Sequence, residues 1–154
     1  MLHFSKFLNR IEDMNPEQPL EVERLRAQFN SYGQEGIDKL VAIVTDETQP
    51  DMKRCNCLVI LGVERASYKT GTAQLWETLE QAAQSQNAPV LAELAFHGVY
   101  SNAVQGRAES AALVEKFRAG TPEQRGIFRR VDAAFTRFSA AVQIMSAVKG
   151  NLVQ

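Results

Sequence analysis

Histidine is scarce in this 154-residue sequence: His3 and His97 are the only two. Two imidazoles, one of them near the start of the chain, are too few for a histidine-based metal centre. Cysteine is as scarce, and Cys55 and Cys57 stand one residue apart. A C-x-C pair with no third cysteine and no nearby histidine falls short of the four ligands that structural zinc takes. On a helix its two side chains would also point about 200° apart. The thiols are expected to be reduced and buried, as free cysteine usually is. No metal and no cofactor is expected. A run of about 18 apolar residues is missing too, which excludes a membrane-spanning helix. The opening MLHFSKFLNRIEDMN meets charge at once, unlike the basic start and unbroken apolar stretch of a secretory signal, so a cytoplasmic location is expected.

Motifs that name a reaction are absent as well. GVERASYKTGT has no glycine before its lysine and too few glycines to cradle a phosphate. Glu12-Asp13 and Asp46-Glu47 read as helix-end surface charges rather than as a working carboxylate pair. The sequence therefore points away from an enzyme.

What is present is a globular composition. The hydrophobic fraction of 45% suffices for a core, and the length suits one domain over residues 1–154. Net charge is −1, unevenly spread. Residues 1–100 hold nine Lys/Arg against fourteen Asp/Glu, a balance of −5; residues 101–154 hold eight against four, a balance of +4. Such polarity can orient an encounter with a charged partner.

Pro19, Pro50, Pro89 and Pro122 each precede a stretch of helical period. Proline is tolerated there because the first-turn N–H has no partner in any case. The pattern predicts eight helices, over about 4–14, 19–32, 36–46, 50–66, 70–86, 89–105, 107–119 and 121–149. Gly33 and Gly36 are expected to break the chain after the second, Gly106 to end the sixth and Gly120 the seventh. The last begins with TPEQ, a capping box in which Thr121 accepts from the Gln124 N–H and the Gln124 side chain reaches back. Along it, Ile127, Phe128, Val131, Ala134, Phe135, Phe138, Val142 and Met145 fall within one arc of roughly 120°, a stripe expected to face the core. Arg125, Arg129, Arg130, Asp132 and Arg137 are expected opposite.

Two stretches stay ambiguous. Residues 40–46 (LVAIVTD) and 57–63 (CLVILGV) are apolar on every side and rich in β-branched residues, so they suit a buried strand or a central helix. Strands would make the fold α+β with a hairpin in the N-terminal half. Each stretch continues a helical frame from its N-terminal side, which favours helix. The pattern Pro50-Asp51, Arg54, Leu58, Leu61-Gly62 resembles the first helix of a HEAT-like repeat. The expected fold is all-α, a single domain of about eight helices, with antiparallel helix pairs stacked as a bundle or a short irregular HEAT-like array.

For function, the leading expectation is a non-enzymatic protein-interaction module (an adaptor, an inhibitor or an immunity-type protein). Arg125, Arg129, Arg130 and Arg137 would bind an acidic protein surface, since arginine forks well onto carboxylates. Two alternatives stand beside it. Glu93, His97 and Ser101 are spaced to form one line on a helix and are expected as a solvated polar stripe. Around them, His97-Gly98-Val99-Tyr100-Ser101 with Gly106 and AALVEKF downstream resembles a histidine phosphotransfer domain over residues 70–148. That resemblance implies a helical signalling protein phosphorylated on His97. Tyr100 stands where the family has lysine and Ser101 where it has glycine. The second alternative is a nucleic-acid binder using Arg107, Lys116, Arg118 and the four arginines of the last helix to track phosphates. A sequence pI near 6.1 argues against it.

Overall fold

The computed structural model describes residues 2–63 and 71–153, side chains at 2, 146 and 149–153 excepted. Among them are eight α-helices and no strand: α1 (Leu2–Glu12), α2 (Pro19–Phe29), α3 (Gly33–Thr45), α4 (Asp51–Leu61), α5 (Ala73–Ala83), α6 (Pro89–Val104), α7 (Ala108–Arg118) and α8 (Pro122–Val153). A single 3-10 turn, Asn30–Tyr32, joins α2 to α3. The expected ends of the fourth and fifth helices, at 66 and 70, lie outside the described residues.

Both ambiguous stretches are helical. Residues 40–45 lie in α3 and 57–61 in α4. The reason is position. α4 packs against α1, α2, α3 and α6, so it is covered on nearly every side and needs no polar face. Arg54, Cys55, Asn56, Cys57, Leu58 and Ile60 show this: of the seven residues from Arg54 to Ile60, all but Val59 are buried. α6 holds the same place in the C-terminal half, packing on α4, α5, α7 and α8. The molecule is thus two helix clusters, α1–α4 about α4 and α5–α8 about α6, joined by α4 on α6 and α3 on α5. Short connections of three to five residues make α3/α4, α5/α6, α6/α7 and α7/α8 antiparallel neighbours. One core runs through both clusters, from Phe7 and Ile11 through Leu40, Leu58, Leu79 and Phe96 to Phe117 and Val131.

Local chemistry sets the helix ends. Pro19, Pro89 and Pro122 are each the first helical residue, and Pro50 is the N-cap of α4. Gly62 closes α4 with φ +93°, a left-handed backbone that only glycine adopts cheaply. Its N–H donates to Val59 O and the Val63 N–H to Leu58 O, the paired bonds of a Schellman motif. The capping box of α8 forms as expected: the Gln124 N–H donates to Thr121 Oγ1 at 3.2 Å, and the Thr121 N–H to Gln124 Oε1 at 3.0 Å. Gly36 is a correction. It sits buried inside α3, where a Cβ would come within 2.7 Å of the Tyr32 Cβ, so it is kept small by packing and breaks nothing.

α8 departs most from expectation. It runs past Lys149 to Val153, and only its first part meets the body. Ile127 and Val131 are buried, Phe128, Ala134 and Phe135 half-buried, and Phe138, Val142 and Met145 exposed. The stripe is continuous in sequence, but the cluster it packs on ends near Phe135.

Candidate functional site

The features with chemical character gather on α6 and α8. Asp132 does not lie on the outer face of α8 with the arginines. It is half-buried and accepts a 2.6 Å hydrogen bond from the Tyr100 hydroxyl of α6. That bond, with burial added, pushes the Tyr100 phenol up to about 12. The Tyr100 ring also lies 4.6 Å from that of Phe135 and 6.4 Å from that of Phe128. Tyr100 therefore fixes α8 to α6, and sequence offered no sign of the pairing.

Beside this lock, Glu93 and His97 of α6 and Arg130 of α8 line a cleft of about 490 Å³ with Pro89, Val90 and Leu94. Arg130 Nε donates to Glu93 Oε1 at 2.6 Å. Glu93, His97 and Ser101 are half-buried, not a solvated stripe. The His97 ring stacks toward Phe135 with centroids 6.5 Å apart. Burial lowers its pKa while the Glu93 charge acts to raise it, leaving the imidazole below its ordinary range. Gly98, which follows it, is buried, and a Cβ there would meet Leu79 Cδ1 at 2.8 Å. Its smallness serves the α5–α6 contact.

The four arginines singled out by sequence lie where the helical period puts them. Arg125, Arg129, Arg130 and Arg137 are all exposed on the side of α8 turned away from Val131. Arg130 is engaged by Glu93, whereas Arg125, Arg129 and Arg137 have no acidic partner among the described residues. The remaining cations of the phosphate-tracking alternative do not join them. Arg107 is largely buried and grips Glu80 with Nε at 2.8 Å and Nη2 at 3.0 Å. Lys116 donates to Gln84 Oε1, and Arg118 stands 4.8 Å over the Phe128 ring.

A second cleft, of about 530 Å³, opens between the ends of α5 and α7 and the starts of α6 and α8. Its floor is apolar, with Ala83, Ala92, Phe117 and Ile127; Ser85, Lys116, Glu123 and Gln124 supply the polar positions. The Ser85 hydroxyl is buried without a hydrogen-bond partner among the described residues. No base or carboxylate is hydrogen-bonded to it. Cys55 and Cys57 are free and buried on α4, and burial pushes their thiols up to about 11 and about 12, far from a reactive thiolate. Among the described residues, no three His, Cys, Asp or Glu side chains are grouped to hold a metal ion, and no helix is long and apolar enough to cross a membrane.

Comparison with protein families, with curated proteins and with solved structures returns no match to this chain.

Proposed function

We propose that this protein is a non-enzymatic interaction module, of the adaptor, inhibitor or immunity type, that grips an acidic surface of another protein with the outer face of α8. One observation carries the reading: Arg125 and Arg129 on the anchored part of α8, and Arg137 just beyond it, have no acid of their own chain paired to them among the described residues. Free guanidinium groups on a rigid rod are prearranged for carboxylates, so little ordering is lost when a partner docks. Three carboxylates near these clefts are otherwise engaged: Glu93 with Arg130, Asp132 with Tyr100, Glu80 with Arg107. A cytoplasmic setting belongs to the same proposal and accords with two unpaired, buried thiols.

The test compares wild type with a protein carrying Arg125→Glu and Arg129→Glu as baits for source-cell extract. Wild type is expected to retain an acidic protein in stoichiometric amount that the variant loses and that rising salt releases. Equal retention by both baits would remove the site.

A further inference from the structure

The second half of α8 carries a surface that the arginine reading does not use. Phe138, Val142 and Met145 are 69%, 45% and 64% exposed, and Val148 beside them is 51% exposed. The spacing Val131, Phe135, Phe138, Val142, Met145 alternates four and three residues, the repeat of a coiled-coil seam. Its first part is filled by α6 and α7 within the chain, and its last part has no occupant among the described residues. A contiguous apolar stripe left exposed on a helix marks an interaction surface.

We infer that the seam is covered by the same segment of a second copy, the two α8 helices crossing antiparallel near Gln143. Three observations favour a copy over another partner. The sequence carries no charged residue between Arg137 and Lys149, so two such stretches can overlap fully without opposing like charges inside the contact. Gln143 is the midpoint of that stretch. The flanking cations, Arg137 and Lys149, fall at its two ends, so an antiparallel pair brings like charges together only at its margins, where salt screens them. An acidic partner is ill suited here, because its carboxylates would face Ser139, Ala140, Ala141 and Gln143 rather than arginine.

Second, the area is adequate. With roughly 150–250 Å² for an aromatic side chain and somewhat less for an aliphatic one, the exposed parts of Phe138, Val142, Met145, Val148 and Ala141 come to roughly 500 Å² per copy. Fully covered, two copies together reach about 1,000 Å², the lower bound for a specific interface and the size of a reversible one. Third, the fold dictates the direction. α8 leaves the body at Phe135, so parallel pairing would crowd both bodies at one end, whereas antiparallel pairing puts them at opposite ends.

The experiment is mass measurement by light scattering on the full chain over a concentration series, with and without added sodium sulfate. Wild type is expected to rise from 17.1 kDa toward twice that mass, and sulfate to strengthen the association, since burial of apolar surface dominates it. Val142→Glu with Met145→Glu is expected to stay at the monomer mass. Both positions are exposed, so its far-ultraviolet spectrum should match wild type. Ile144→Glu, a residue 65% exposed but off the seam, is expected to dimerise as wild type does. Arg125→Glu with Arg129→Glu should also dimerise normally, so loss of the acidic partner and loss of the dimer are separable results. Spin labels at Thr136→Cys are expected roughly 20 Å or more apart, from about 1.5 Å of rise per residue on either side of Gln143. A wild-type monomer at every concentration would overturn the inference, as would a dimer that survives Val142→Glu with Met145→Glu. Labels about 10 Å apart, or sedimentation of a monomer with anionic lipid vesicles through α8, would do the same.

Discussion

Asn56 is a core polar residue whose removal should be felt a long way along the chain. It lies on α4, 1% exposed, and its Nδ2 donates to Ile11 O at 3.0 Å and to Met14 O at 3.2 Å. Those carbonyls lie in the last turn of α1 and just past its end, where helical acceptors run out of partners, although Ile11 O also accepts from the Met14 N–H at 3.1 Å. Asn56→Ala deletes both bonds. Each is worth about 1 kcal/mol net, and Met14 O, left buried without this donor, adds about another 1 kcal/mol. Against this, Oδ1 of Asn56 has no partner among the described residues, so its removal returns about 1 kcal/mol of desolvation. The balance is a loss of about 2 kcal/mol. For a chain of this size that lowers the melting temperature by about 4–8 °C. Scanning calorimetry measures the shift, and native-state hydrogen exchange should show the α1 amides losing protection more than those of α7. Asn56→Asp, equal in size but with an acceptor in place of the donor, should be worse still at neutral pH. A drop below about 2 °C, or an aspartate variant as stable as wild type, would refute the assignment of Asn56 as the cap of α1.

Two further outcomes test other parts of the packing. Glu80 is bound by Arg107 and by the Ser110 hydroxyl at 2.7 Å, with the ion-pair side chains 14% and 11% exposed. Arg107→Ala should cost about 3 kcal/mol, because it strands a carboxylate that burial penalises. Burial raises the Glu80 pKa and these hydrogen bonds lower it by more, so it sits below 4.5 in the folded protein. A depressed carboxylate contributes stability above its unfolded pKa and loses it as pH falls through the folded value, so wild type should lose more stability than Arg107→Ala on acidification below about pH 4.5. Gly98→Val, read by urea unfolding, should destabilise by about 2 kcal/mol or more, since even a Cβ there meets Leu79 and Val63.

How much of this was legible in the sequence depended on how local the cause was. The capping box at Thr121–Gln124 and the prolines at helix starts are read within four residues, and both were visible. The all-α class was visible too, except at residues 40–46 and 57–63, which suited a strand as well as a helix. A helix buried on every side shows no amphipathic period, so Cys55–Ile60 looks like a buried strand until its neighbours are known. Pairings across the chain left no signal: Asn56 with α1, Tyr100 with Asp132 and Glu80 with Arg107 join residues 27 to 45 positions apart. At α8 the stripe was legible but its coverage was not, because where the stripe leaves the core depends on the lengths of α6 and α7. Among the candidate residues, Arg125, Arg129 and Arg137 fell on the outer face as their spacing implied. The engagement of Arg130 and the half-burial of His97 needed coordinates.

The two-cluster layout has a consequence for how the chain reaches its native state. α3/α4, α5/α6, α6/α7 and α7/α8 pack as sequence neighbours, whereas α1 and α2 wait for α4. Loop-closure entropy is therefore small for those four pairs, and collapse on the microsecond-to-millisecond scale is expected. During synthesis, the first four helices can assemble around α4 while the last four are still emerging from the ribosome. The side of α4 that α6 later covers then stays greasy and uncovered, which makes that interval the moment of greatest aggregation risk in the protein's life.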